Sequence, residues 1–549
     1  MKTFVLLGAL LGAAGMASAQ GTLRAPSEAP ASVPAPAGFR LELRLPDGKS
    51  QFQIGETIPV RLLFSHTGTG DIYLSHFPSS PLAAFEVEPQ DGVDNPSRRL
   101  LRSAIAFNGP ITPPTLVGSK PTEEAGVLNE YVRFKRLGTY TVRALVDRLS
   151  LLPAGAPRPG ALAGVFAPAG TRLLATSDAV TVRIVPADAS WQDAQVAAWR
   201  AYWARQKPEP FGYGWQAPSG VPEPANDLSF LNTRAAARAM VDRLGQDIAA
   251  GASGSEAYRW RRGLLAFSDR AWLQGEMRSA LQRPDYPVTD GFLDILSALQ
   301  TQSDPFLPRE DNFSFALVQS IEAANWNLAY VALAQKTGYA RSMTAFSLLD
   351  AQLRMIEGAR LSRTTFTPYS ADRLAHLVAM VPDIFDDLPR LPQQSLLGVY
   401  GRSGTWEKIK NPRLAAPLVR LWNSETAREQ YRYAYNRDIP DAILTRLYSI
   451  APEQARALIL EEMKRPWPRA SFKALSLLPD QRLSATQDVW LRALDGNGGD
   501  TDTAALLIGR YADERIQAQV QQKQAQLKEE RRLSTQMNDG LSRYLARVG

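Results

Sequence analysis

The apolar residues change their period at Pro186, and that change limits the chain to folds in which a strand-rich part precedes a helical one. Upstream, Phe39, Leu41, Leu43 and Leu45 alternate with Arg40, Glu42 and Arg44 before the turn signal Pro46-Asp47-Gly48. Strict alternation marks a half-buried strand. Ile58, Val60, Leu62 and Phe64 take one face of a second strand. Further ones come from Ile72 with Leu74, Phe85 with Val87, Tyr140 with Val142, Ala144 and Val146, and Val180 with Val182 and Ile184. Strands punctuated by Gly, Pro and Asp turns over 39–186 predict an antiparallel Ig-like β-sandwich. Tyr140, at a strand start after Gly138, fits either a tyrosine corner or a plain buried ring. Two Pro/Gly-rich insertions, Asn108 to Glu124 and Pro153 to Ala169, exceed ordinary hairpin length.

Downstream, Ser190 is a candidate N-cap for a helix that gathers Trp191, Ala198, Trp199, Tyr202 and Trp203 near one face. Residues 187–227 then read as this helix plus a Pro/Gly/aromatic linker carrying Phe211, Tyr213 and Trp215. Those rings either pack between domains or form a platform for sugar or peptide. Over 228–511, apolar-periodic runs such as Thr233 to Ala250, Ser268 to Gln282, Asp441 to Ile450 and Pro452 to Met463 alternate with short breaks. Short helices joined by tight turns predict an all-α HEAT-like helical solenoid, each pair burying a face on the next. The polar stretch 512–549 predicts a solvated C-terminal helix with few core contacts. The expected fold class is therefore multidomain α+β.

The first 19 residues have the form of a signal peptide: Lys2, an apolar run from Phe4 to Ala14, and the small-residue site Ala17-Ser18-Ala19. Residues 20–38, with four prolines among Ala, Ser and Gly, read as an extended spacer. No later stretch is apolar and long enough to span a bilayer. Export to the periplasm or beyond is the expectation.

Composition removes several chemistries. There is no Cys, so disulfides, thiolate nucleophiles, Cys-based zinc and iron–sulfur sites are excluded. The charge of +7 comes from 62 Lys plus Arg against 55 Asp plus Glu, with Arg far in excess of Lys. Spread over 549 residues it is too dilute for a nucleic-acid footprint. Three histidines, His66, His76 and His376, leave little scope for imidazole pairs.

Specific motifs are incomplete. Gly251-Ala252-Ser253-Gly254 and Gly401-Arg402-Ser403-Gly404 place the second Gly too early for a nucleophile elbow. Lys336-Thr337-Gly338 matches one penicillin-binding element, but no Ser stands three before any Lys. Gly48-Lys49-Ser50 imitates a phosphate loop whose first glycine is replaced by Leu43. His66 and His76 flank Asp71, a weak metal pattern better read as ordinary histidines. Asp495, Asn497, Asp500 and Asp502 are weak calcium candidates, since the glycine and terminal glutamate of an EF-hand loop are missing. Asp383 and Asp387 lie one turn apart, which suits either paired acid–base chemistry or, with Pro382 opening a helix, dipole complementation. Arg428, Tyr431 and Tyr435 share a face and form a candidate polar-aromatic contact strip.

Three strings, LNEYVRFKRLGTYTVRAL (Leu128 to Leu145), SDAVTVRIVPADASWQ (Ser177 to Gln192) and ARALILEEMKRPWPRASFKALSLLPD (Ala455 to Asp480), carry a family resemblance. The chain resembles uncharacterised secreted bacterial proteins with an N-terminal Ig-like β-sandwich and a C-terminal HEAT-like helical region. The resemblance implies that architecture and brings no catalytic residues. The functional expectation is an exported, non-catalytic binding or scaffolding protein of the cell envelope, using no cofactor and no nucleic acid. Its partner would be an envelope or extracellular protein, or a polysaccharide. Phe211, Tyr213, Trp215, Arg428, Tyr431 and Tyr435 are the candidate binding residues. The alternative is an envelope hydrolase whose carboxylates converge only in the fold.

Overall fold

A computed structural model describes residues 32–75, 83–94, 114–152, 170–205, 223–247, 254–301, 315–362, 370–398, 403–426, 438–463, 465, 474, 477–478, 486–495 and 499–549. The chain divides into two compact units, Met1–Lys336 and Thr337–Gly549. It is mixed α+β, with antiparallel sheets in the N-terminal part and helices in the C-terminal part.

Alternating side chains build the strands of the first unit. These are β1 (Val33–Pro34), β2 (Phe39–Arg44), β3 (Gln51–Gln53), β4 (Pro59–His66), β5 (Asp71–Leu74), β6 (Ala84–Glu88) and β7 (Val93–Asp94). They continue with β8 (Thr115–Val117), β9 (Thr122–Val127), β10 (Arg133–Phe134), β11 (Gly138–Leu152), β12 (Thr171–Thr176) and β13 (Val180–Val185). One antiparallel sheet has the order β2-β4-β9, with Leu41 opposite Phe64 and Leu43 opposite Leu62.

The larger, eight-stranded sheet is organised by β11. Along one edge it pairs first with β13 and then with β12; along the other it pairs with β6 and then with β5. The register with β12 shifts between Val146 and Leu149, a bulge that bends the strand and lets one segment serve four neighbours. Two short strands join in parallel, β1 on β12 and β3 on β13. β7 pairs with β10 as a separate antiparallel ribbon.

Both sheets contribute to one apolar cluster. Val60, Leu62 and Phe64 come from β4, and Tyr140, Val142, Ala144 and Val146 from β11; Val182 and Ile184 come from β13. Each Val, Leu, Ile or Phe of this set stabilises the fold by about 1.5–3 kcal/mol when fully buried. Tyr140 also makes a local closure: its hydroxyl donates to the Arg136 carbonyl four residues upstream, at 2.8 Å.

Strands give way to helix between Val185 and Ala189, where the period changes. The first unit continues with α1 (Ala189–Arg205), α2 (Arg234–Asp247), α3 (Gly254–Leu265), α4 (Arg270–Gln282), α5 (Asp290–Gln300) and α6 (Phe315–Leu333). Asp188 caps α1 by accepting from the Ser190 amide at 3.0 Å, so the acid, and not Ser190, serves as N-cap. Asp269 and Thr289 cap α4 and α5 in the same way. α1 packs on α2, α2 on α3, α4 on α5 and α5 on α6, and α2, α3 and α4 also reach the next but one.

The second unit holds α7 (Gly338–Ser362), α8 (Ala371–Ile384), α9 (Arg390–Leu396), α10 (Ser403–Ile409), α11 (Ala415–Thr426), α12 (Asp438–Ile450) and α13 (Pro452–Met463). It ends with α14 (Gln487–Ala493), α15 (Gly499–Tyr511), α16 (Gln517–Glu529) and α17 (Thr535–Val548). The polar stretch after Tyr511 is thus two helices separated by a turn, in place of one solvated helix. Val520, Leu527, Met537, Leu541 and Tyr544 are buried. The reason is close backbone approach: a Cβ on Gly540 would lie 2.4 Å from the Ala505 carbonyl oxygen, so α17 seats directly on α15.

Candidate functional site

A network of buried and half-buried polar side chains joins the strands of the first unit to its helices. Asn129, 5% exposed, sits in the 3-10 turn Leu128–Glu130 and is flanked by the buried Leu128 and Val132. Its amide accepts from the Ile58 N–H at 2.7 Å and donates to the Glu56 carbonyl at 2.9 Å. One side chain thereby satisfies two backbone groups of the β3–β4 connection. Thr57 carries the link to the helices: its N–H donates to Asn226 Oδ1 at 3.2 Å, and its hydroxyl accepts from the Asp227 N–H at 3.1 Å. Asn226 in turn donates to Gln195 of α1, and its carbonyl accepts from the Trp199 indole at 2.5 Å.

Two arginines complete the junction. Arg133 of β10 donates to the Ser229 carbonyl at 2.6 Å and lies 4.6 Å from the centroid of Phe230. Arg262 of α3 donates to the Glu130 carbonyl. Burial pushes the Arg133 guanidinium down to about 9, and nearby Arg262 adds to the fall, while Asp227, Asp94 and Glu130 oppose it. It still carries its charge at neutral pH. Gly55 lets the backbone come close here, since a Cβ would stand 3.1 Å from the Phe230 carbonyl oxygen. Its φ of +86° is in the region that glycine adopts freely.

A cleft lined by Gln53, Glu56, Asn129, Arg133, Phe134 and Phe230 opens beside this network and encloses about 20 Å³. That volume holds about one water, against the several hundred Å³ of a small-molecule site. The junction is thus chemically a fastener: its donors and acceptors are directed at backbone groups of the chain itself.

Next to it lies an aromatic group. Trp199, Trp203 and Trp260 have ring centroids 5.4–5.8 Å apart, and Arg243 lies 5.4 Å from the Trp203 centroid. Edge-to-face contacts of this kind fill the space between the rings.

The residues picked out from sequence fare differently. Phe211, Tyr213, Trp215, Arg428, Tyr431 and Tyr435 lie outside the described residues, as do His76 and Asn497. Asp500 lies in the first turn of α15. Asp495 pairs with Lys523, and Asp502 accepts from the Ser534 hydroxyl, so these two calcium candidates face different partners. Among the described residues, no group of three or more His, Asp or Glu is placed to hold a metal ion. His66 is the last residue of β4 on its core side, beside Phe39 with ring centroids 6.5 Å apart.

Pro382 lies within the last turn of α8 and does not open a helix. Asp383 lies in that last turn and Asp387 in the 3-10 turn Phe385–Asp387 that follows, so complementation of a helix start opened by Pro382 does not explain them. Asp383 pairs with Arg413, Asp386 with Arg420, and Asp387 accepts from Ser342 at 3.0 Å. Asp383 and Asp387 are thus directed to separate partners.

Sequence reasoning missed Asn129, Asn226, Arg133 and Arg262. One signal was present in LNEYVRF, where polar Asn129 and Arg133 punctuate buried Leu128 and Val132. Among the described residues, no helix is long and apolar enough to cross a membrane. No family model matches the chain, and no curated protein matches it either.

Proposed function

We propose that the chain is an exported, non-catalytic binding or scaffolding protein of the cell envelope, built as an Ig-like β-sandwich followed by a HEAT-like solenoid. The observation that carries this reading is the packing order of the helices. In each unit many helices pack on the next, as α4 does on α5 and α12 on α13, and several pack on the next but one: α3 on α5 in the first unit, α8 on α10 and α15 on α17 in the second. Stacked antiparallel pairs have this order, and their use is an extended surface for a partner. Two core-sharing sheets, with the Tyr140–Arg136 closure, support the sandwich. The resemblance to secreted bacterial proteins of this architecture supports the address.

The partner is an envelope or extracellular protein, and the contact residues are Arg428, Tyr431 and Tyr435 with Phe211, Tyr213 and Trp215. Affinity capture from envelope extract with the wild-type chain and two triple-alanine variants tests this. Either variant should weaken capture of the partner found with the wild type while leaving the melting temperature nearly unchanged. Exposed positions usually shift stability by no more than about 0.5 kcal/mol each. Capture unaltered by both variants refutes the surface.

A further inference from the structure

Lys336, the residue of the Lys336-Thr337-Gly338 string that resembled a catalytic element, is 4% exposed. Lysine is rarely so buried without partners. Its Nζ donates to three main-chain carbonyls, those of Leu281 at 2.7 Å, Arg283 at 2.5 Å and Tyr286 at 2.7 Å. An ammonium has three N–H donors and no acceptor, so the match is complete. Leu281 is in the last turn of α4, Arg283 is its C-cap, and Tyr286 is in the connection to α5. The three oxygens include the negative end of a helix, where a cation is favoured.

The surrounding contacts hold this cage in place. Arg283 pairs with Asp242 of α2 at 3.0 Å and with Asp285 at 3.4 Å, and lies 5.3 Å from the Tyr286 ring centroid. Tyr286 donates to the Val241 carbonyl at 2.6 Å. The lysine comes from the turn that follows α6. After α6 the chain makes tight turns, with Gln335 N–H to the Ala332 carbonyl at 3.0 Å and Lys336 N–H to the Leu333 carbonyl at 3.1 Å.

We propose that the end of α4 and the turn after it form a three-oxygen ammonium site whose ligand is the chain's own Lys336, and that its occupancy fastens the end of α6. The fastening is a property of hydrogen-bonded charge, so a free primary alkylammonium should replace the missing side chain.

Amide hydrogen exchange of the full chain tests this with K336A and n-propylammonium, with tetramethylammonium at equal ionic strength as a cation lacking N–H donors. In K336A, the amides of Arg283, Tyr286 and Gln335 should exchange about tenfold faster or more than in the wild type. Propylammonium should restore protection in a saturable way, and tetramethylammonium should not. Wild-type protection in K336A, or equal restoration by both cations, overturns the proposal. Should K336A fail to fold, K336M, which fills the volume without charge, decides. Faster exchange at the same amides supports the site, and protection equal to the wild type overturns it.

Discussion

Asp513 shows how much a single side chain organises in the second unit. Its carboxylate accepts from the Arg515 guanidinium at 2.7 and 2.9 Å, from the Gln487 amide at 3.0 Å and from the Arg515 N–H at 3.1 Å. Its carbonyl accepts from the Tyr544 hydroxyl at 2.6 Å. One residue thereby joins α14, the turn before α16, and α17. The Arg515 side chain first, and then Gln487, hold the carboxyl at about 2, below the ordinary 3.8. A group depressed in the folded state adds stability above its unfolded value and loses it as pH falls through the folded one. Asp513 should therefore stabilise the protein above pH 3.8 and cease to do so near pH 2. Urea midpoints measured down this range should fall less steeply in D513N than in the wild type. Solvent screening keeps the difference below about 1 kcal/mol. Identical slopes would show that the Asp513 carboxylate does not contribute. Such residues were hard to read from sequence because their partners are remote: Thr57 meets Asn226 and Asp227 across the whole strand region.

At the scale of elements, strand positions were legible because side chains alternate with period two whenever one face is buried. β2, β4, β5, β6, β11 and β13 lie where the alternation put them. Pairing was not legible: the parallel joins of β1 to β12 and β3 to β13 bring together segments from opposite ends of the strand region. Composition also misled at the C-terminus, where α16 is rich in Gln. The contact that secures α17 is made by an absence of side chain, which no hydrophobicity argument detects. A Cβ on Gly509 would stand 2.5 Å from the Gly540 carbonyl oxygen, and one on Gly540 would stand as close to the Ala505 carbonyl oxygen. Gly540→Val should therefore force α15 and α17 apart and cost about 1–3 kcal/mol or more, read as a lower urea midpoint with unchanged helix content before the transition. An unaltered midpoint would mean that the two helices do not approach so closely.

At the scale of the molecule, the change of period at Pro186 and the boundary between compact units are different things. Strand gives way to helix between Val185 and Ala189, yet the first unit runs on to Lys336. The junction explains why. Asn129 fixes the backbone on either side of Thr57, Thr57 bonds Asn226 and Asp227, Arg133 donates to the Ser229 carbonyl, and Arg262 reaches back from α3 to the Glu130 carbonyl. Separating strands from helices strips partners from these groups, and each buried donor or acceptor left without one costs about 1–3 kcal/mol. Several such losses equal the whole stability of an ordinary domain. The central claim is that strands and the helices through α6 fold as one cooperative body. Urea unfolding of two fragments, 37–188 and 32–336, followed by circular dichroism, tests it most directly. Fragment 32–336 should show a single cooperative transition, and 37–188 should be unfolded or have a much lower midpoint. A fragment 37–188 that unfolds cooperatively at the midpoint of 32–336 would contradict it.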